Sequence, residues 1–95
     1  MVIVKLDRHE ADRTDAYTKW KIKLPNGEIL KMIDAREKGI VKLLRTSATL
    51  NKTHWFEWWE VPEYVELIRI RCSNRGNITK TIFKPKDLED SLGDC

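Results

Sequence analysis

Apolar and polar residues alternate along much of this 95-residue chain, and a period of two is the mark of strands with one buried face. From Tyr17 to Leu24 the alternation is clean, with Trp20, Ile22 and Leu24 on one side and Lys19, Lys21 and Lys23 on the other. Pro25-Asn26-Gly27-Glu28 follows. Asn-Gly is a strong hairpin signal, because both residues tolerate positive φ. Glu28 to Ile33 is the return strand, and a two-residue turn would set Leu24 opposite Ile29, Ile22 opposite Lys31 and Trp20 opposite Ile33. Val2–Leu6, Tyr64–Cys72 and Ile78–Phe83 read as further strands, the last preceded by the turn Asn74-Arg75-Gly76-Asn77. Asp7 to Asp15 is polar throughout and reads as a loop. Thr46 to Thr53 is a polar connector, and Lys86 to Leu92 a short helix or frayed tail.

One segment has helical spacing. Asp34-Ala35-Arg36-Glu37 has the form of a helix start, a capping Asp with Glu three residues later. Ile40, Val41, Leu43 and Leu44 then share one side. Gly39 weakens such a helix by about 1 kcal/mol relative to Ala, and a break there with Ile40–Arg45 as a strand is the alternative. The element order predicts one α+β domain over residues 1–95: a small, mostly antiparallel sheet of five to six strands with one main helix packed on one face.

Three of the four tryptophans fall in Trp55-Phe56-Glu57-Trp58-Trp59-Glu60. In a strand over His54–Val61, ended by Pro62, Trp55 and Trp59 share a face with Glu57, while Phe56 and Trp58 share the other with Glu60. Either both faces are covered, or one ring set meets a partner. Large rings supply area that a small core needs, and Trp is also enriched at binding hot spots. Nucleic-acid stacking platforms pair rings with basic neighbours. Here the neighbours in sequence are Glu57, Glu60, Glu63 and Glu66, which favours a protein partner or a dimer. Trp55, Phe56, Trp58, Trp59 and Tyr64 are the candidate interface residues.

The formal charge is +3, from 18 Lys and Arg against 15 Asp and Glu. This permits an anionic partner without demanding one. Lys19, Lys21 and Lys23 project together, as do Arg69 and Arg71. If the two rows share a face they form a patch for phosphates; otherwise they pair with the glutamates and solvate the sheet. The lack of Gln and the abundance of Lys, Glu and Ile lean toward a thermophilic source. No apolar run reaches the ~20 residues of a membrane span and no signal peptide is visible, so an intracellular, cytoplasmic protein with no membrane partner is expected. Cys72 reads as a small buried hydrophobe and terminal Cys95 as free, or as a site for an intermolecular bridge.

Catalytic signals are weak. His9 and His54 have no second ligand at metal spacing, and no glycine-rich phosphate loop or nucleophile motif occurs. No metal and no cofactor is expected. An enzyme would need a site shared between subunits, with His54 among its groups.

Phe56-Glu57-Trp58-Trp59-Glu60, followed by Glu63-Tyr64 and Glu66-Leu67, resembles a stretch in small proteins of archaeal rod-shaped viruses, in particular the type I-D anti-CRISPR family. The resemblance implies a viral, thermophilic, non-catalytic protein, acting as a homodimer or larger assembly on a host or viral macromolecule. That family is acidic and this chain is basic, so its target does not carry over. The leading expectation is a non-enzymatic binding protein that self-associates through its aromatic strand. The alternative is a nucleic-acid-binding protein using Lys19, Lys21, Lys23, Arg69 and Arg71. A small hydrolytic enzyme is the third.

Overall fold

Strand β1 (Val2–Glu10) lies antiparallel to β5 (His54–Val61) in one unbroken register, from Val2 opposite Val61 to His9 opposite His54. The computed structural model describes residues 1–10, 16–47 and 53–91. Its other elements are β2 (Tyr17–Lys23), β3 (Ile29–Lys31), α1 (Met32–Glu37), β4 (Lys42–Thr46), β6 (Glu66–Cys72), β7 (Ile78–Phe83) and a 3-10 turn over Pro85–Leu88. The seven strands form one antiparallel sheet in the order β4-β5-β1-β2-β6-β7, with β3 beside β2. The fold is therefore mostly β with one small helix, and no helix among the described residues is long and apolar enough to cross a membrane.

Four expectations give way. The expected five to six strands are seven among the described residues, because Lys42–Thr46 joins the sheet as β4. The main helix shrinks to six residues, because Gly39, at φ +75, takes the left-handed conformation that ends a helix and Lys42 onward pairs with β5. Asp34 sits inside the first turn, and Lys31 occupies the cap position without a side-chain bond. The polar stretch Asp7–Glu10 is strand, not loop, because β5 partners Asp7, Arg8 and His9 and β2 partners Glu10; the rest of that expected loop, 11–15, lies outside the described residues, as do 48–52 of the polar connector and Cys95. Finally, the hairpin register is displaced by one residue. Gly27, at φ +90, follows Pro25-Asn26 and Leu24 bonds Glu28 across a three-residue loop, so Ile22 meets Leu30 and Lys23 meets Ile29. A one-residue slip exchanges faces. It turns Leu30 toward the core and leaves Ile29 51% exposed.

The sheet has a joint. One edge of β2 carries β6 along its whole length. Its other edge is divided: β1 holds it at Tyr17 and Thr18, and β3 holds it from Lys21 to Lys23. Since β3 occupies the edge, β1 lies apart from β2 in the residues that precede His9. The parting is stitched by the Trp20 indole, whose N–H donates to the Asp7 carbonyl at 2.6 Å. Farther along, the residues after the 3-10 turn replace β2 beside β1: Glu89 bridges Val4 and the Asp90 N–H donates to the Ile3 carbonyl.

This joint makes the core possible. At the pairing, odd-numbered His9 stands opposite even-numbered Thr18. Yet Val2, Val4 and Leu6 of β1 lie in one apolar cluster with Trp20 and Ile22 of β2 and Leu67 of β6. The two half-sheets, β4-β5-β1 and β3-β2-β6-β7, therefore turn across one another and close on a shared core. Met32 and Ala35 of α1, with Val41, Trp59, Val61 and Val65, complete it. Burying each such aliphatic side chain contributes about 1.5–3 kcal/mol.

Trp20→Phe keeps most of the buried ring but leaves the Asp7 carbonyl without its indole donor. The expected loss is about 1–3 kcal/mol, read as a lower urea midpoint at unchanged m-value; an unaltered midpoint would show that the stitch does not hold the joint.

Candidate functional site

β5 carries large rings on both faces, and the structure gives each face a different role. On the inner face Trp59 is 4% exposed and Trp55 half-buried. Glu57 stands between them and gathers their polar ends: its carboxylate accepts from Trp55 Nε1 at 3.0 Å, from Trp59 Nε1 at 3.0 Å and from the Arg8 guanidinium at 3.3 Å. Arg8 is directly opposite Trp55 on β1, with its guanidinium carbon 5.7 Å from the ring centroid. Glu57, the residue that made this strand look acidic, is turned inward and its charge is satisfied. Trp59 is thus part of the core, and the indole N–H groups of both Trp55 and Trp59 are committed to Glu57.

The outer face is built differently. Phe56 and Trp58 are half-buried there and His54 is exposed. Lys5 of β1, which alternation between Val4 and Leu6 turns outward, is directly opposite Trp58. Its ammonium lies 4.4 Å from the Phe56 centroid and 5.4 Å from that of Trp58. Arg45 lies 5.0 Å from the Trp58 ring on the opposite flank. A bulge in β4 aims it there: Leu43 pairs with Trp59 but Arg45, not Leu44, pairs with Trp58. Without the extra residue Arg45 would face inward with Glu57. Trp58 is fixed at its edge, its Nε1 donating to Asp90 at 2.7 Å.

The rings continue toward the joint. His54 contacts Phe56 at 5.6 Å between centroids, and His9 meets His54 edge-on at 5.9 Å. Where β1 and β2 pair, the side of β1 that bears His9 is continuous with the side of β2 that bears Thr18, and Thr18 is opposite Arg71. Arg71 bonds Asp7 at 3.5 Å and with it borders a shallow depression beside His9 and His54. The result is a band, Arg45, Trp58, Lys5, Phe56, His54, His9, Arg71, in which rings and cations follow one another across four strands. Glu60, Asp7 and Asp90 share this side, the first opposite Lys42 and the other two already bonded to Arg71 and Trp58. Among the described residues no ion pair involves Lys5 or Arg45.

The basic rows expected from sequence do not join. β2 and β6 are neighbours, but Trp20 is opposite Arg69 and Thr18 opposite Arg71, while Lys19, Lys21 and Lys23 face Ile70, Ile68 and Glu66. The lysines and the arginines thus occupy opposite faces of the half-sheet. Arg69 lies against Phe83 at 5.1 Å and only Arg71 reaches the aromatic band. Tyr64, 64% exposed, is in the turn between β5 and β6 and apart from it. Sequence reading missed Lys5, Arg45, Arg8 and His9. The outward position of Lys5 was legible from the alternation of β1; its ring partners were not, because they depend on which strand lies beside it.

Among the described residues no group of three or more His, Cys, Asp or Glu is placed to hold a metal ion. Comparisons with family models, with curated proteins and with solved structures find no match for this chain.

Removing the Glu57 carboxylate leaves a mostly buried guanidinium and two indole N–H groups unsatisfied. Glu57→Ala is expected to cost about 3–5 kcal/mol, and Glu57→Gln, which keeps an acceptor, clearly less; urea unfolding of both variants gives the difference. Equal losses would show that the negative charge, which both variants lack, carries the whole effect and that an acceptor of the same shape does not replace it.

Proposed function

We propose that this chain is a non-enzymatic binding module for single-stranded nucleic acid, held on the outer face of β4-β5-β1. The observation that supports it is the unbroken succession of rings and cations around Phe56 and Trp58. Bases stack on aromatic faces whatever their sequence, and neighbouring cations meet the phosphates. The acidity around the aromatic run in sequence had weighed against stacking. It loses force because Glu57 faces the other way and the cross-strand neighbours Lys5 and Arg45 face the rings.

Self-association through the same rings is less favoured. A two-fold contact sets the same face against itself, so Lys5 and Arg45, which join no ion pair among the described residues, would be brought together with a second set of the same cations. An anionic ligand neutralises them instead. A duplex hides its base faces inside the stack and gains only the phosphate contacts, so single strands should bind more tightly.

The test is a fluorescence titration with a thymidine oligomer of about eight nucleotides, within the usual site-size range. Phe56→Leu keeps the apolar bulk and removes the ring; it should weaken binding by about fivefold or more, since one stacked base is worth about 1–3 kcal/mol. Lys5→Ala should lower the slope of log affinity against log salt by about 0.7, the value for one phosphate contact on a single strand. Undetectable binding at low salt, or a Phe56→Leu variant that binds as well as the parent, would overturn the reading.

A further inference from the structure

The outer face of the other half-sheet carries a second unmatched surface. Register places Tyr17, Lys19, Lys21 and Lys23 of β2 there, with Ile29 and Lys31 of β3, Ile68 and Ile70 of β6, and Ile78, Lys80 and Ile82 of β7. Five lysines share this face with two carboxylates, Glu66 opposite Lys23 and Glu10 opposite Tyr17. None of the five takes part in an ion pair among the described residues, and Lys21 is directly opposite Lys31. Like charges placed so are destabilising, and they are relieved by an anionic partner. Between the lysines Ile29, Ile78 and Ile82 stand 51%, 59% and 56% exposed. A phosphate backbone would neutralise the lysines and leave these isoleucines wet.

The sheet ends on this side in β7, and the two ends of the sheet differ. At the far end β4 is bulged between Leu43 and Arg45, a device that blunts an edge. β7 keeps regular register with β6 over all six residues, from Ile78 to Phe83, and no described strand lies on its other side. Its free backbone donors and acceptors can accept another strand. A second copy is a poor occupant: matching Ile78 of one β7 to Ile82 of the other puts Lys80 on Lys80 and brings two lysine-rich faces together.

We propose that the β7 edge takes an extended segment of a partner protein with an acidic residue opposite Lys80 and apolar residues two positions to either side, opposite Ile78 and Ile82. Backbone pairing supplies the attachment, and the apolar–acidic–apolar pattern reads the outer face. The proposal stands independently of the nucleic-acid reading, which concerns the other half-sheet.

The probe is a capped peptide, Thr-Val-Thr-Glu-Thr-Val-Thr, titrated into isotope-labelled protein and followed by amide resonances and hydrogen exchange, alongside the same peptide with Lys in place of Glu. Signals of Ile78–Phe83 should move and gain exchange protection. Lys80→Glu should weaken the Glu peptide by at least about threefold, in line with one cross-strand charge pair, and should reverse the preference between the two peptides. No binding at millimolar peptide, equal binding of both peptides, or changes confined to residues outside β6 and β7 would overturn it. So would a duplex DNA that shifts Lys19, Lys21, Lys31 and Lys80 where the Glu peptide does not.

Discussion

The Glu57 carboxylate decides which side of β5 is inside. A strand with rings on both faces has no preferred orientation by apolarity alone, since Trp55 and Trp59 would fill a core about as well as Phe56 and Trp58. Glu57 breaks the tie. It lies on the Trp55–Trp59 side, where both indole N–H groups and the Arg8 guanidinium converge on it. An ionised carboxylate enters a nearly dry site only when its lone pairs are occupied, and this face supplies three donors. With that side committed, Phe56 and Trp58 are left outward, and Lys5 and Arg45 cover them in part.

The second constraint is the divided edge of β2. Two strands compete for it, and β3 wins from Lys21 onward because the Pro25–Gly27 loop delivers it locally, at little cost in chain closure. β1, joined to β2 by the longer connection 11–16, keeps only Tyr17 and Thr18. Its separation from β2 before His9 lets even-numbered residues of both strands share one core, although their register sets odd against even. The same separation carries the outer face of β1 onto the Thr18–Arg71 side of β2 and β6, which is why Arg71 reaches the aromatic band and Arg69, two residues deeper, lies on Phe83.

Much of the strand content was legible in the sequence, because alternation is a local signal. β2, β5, β6 and β7 fall within a residue or two of their expected spans. The helix was not, since Ile40–Leu44 satisfies a helical and a strand pattern equally and only pairing with β5 chooses. Nor was Asp7–Glu10: four polar residues look like a loop until a full-length partner strand is known. The hairpin failed by one residue, because Asn-Gly fits both a two-residue turn and a three-residue loop with glycine in the left-handed position, and face assignments for Ile29 and Leu30 follow from that choice. For the candidate site, the rings were found and their surroundings were not. The acidity of the aromatic run is a property of neighbours in sequence; what the rings feel is set by neighbours across strands.

The same distinction governs the charge. A net +3 spread evenly over 95 residues would create little field anywhere. Here the carboxylates are drawn into specific duties, Glu57 beneath the aromatic strand, Asp90 on the Trp58 indole and Asp7 on Arg71, while Lys5, Arg45 and the five lysines of the other outer face join no ion pair among the described residues. A modest total thus resolves into two positive surfaces of different texture. One is interleaved with rings, whose faces suit flat bases. The other is interleaved with branched aliphatic side chains beside an open strand edge, which suit a pleated backbone. The two lie on the outsides of half-sheets that share a core and meet at a joint of two residue pairs. Any ligand that alters the angle between the half-sheets must disturb that core and the Trp20 stitch, so the two surfaces are held in a fixed mutual orientation.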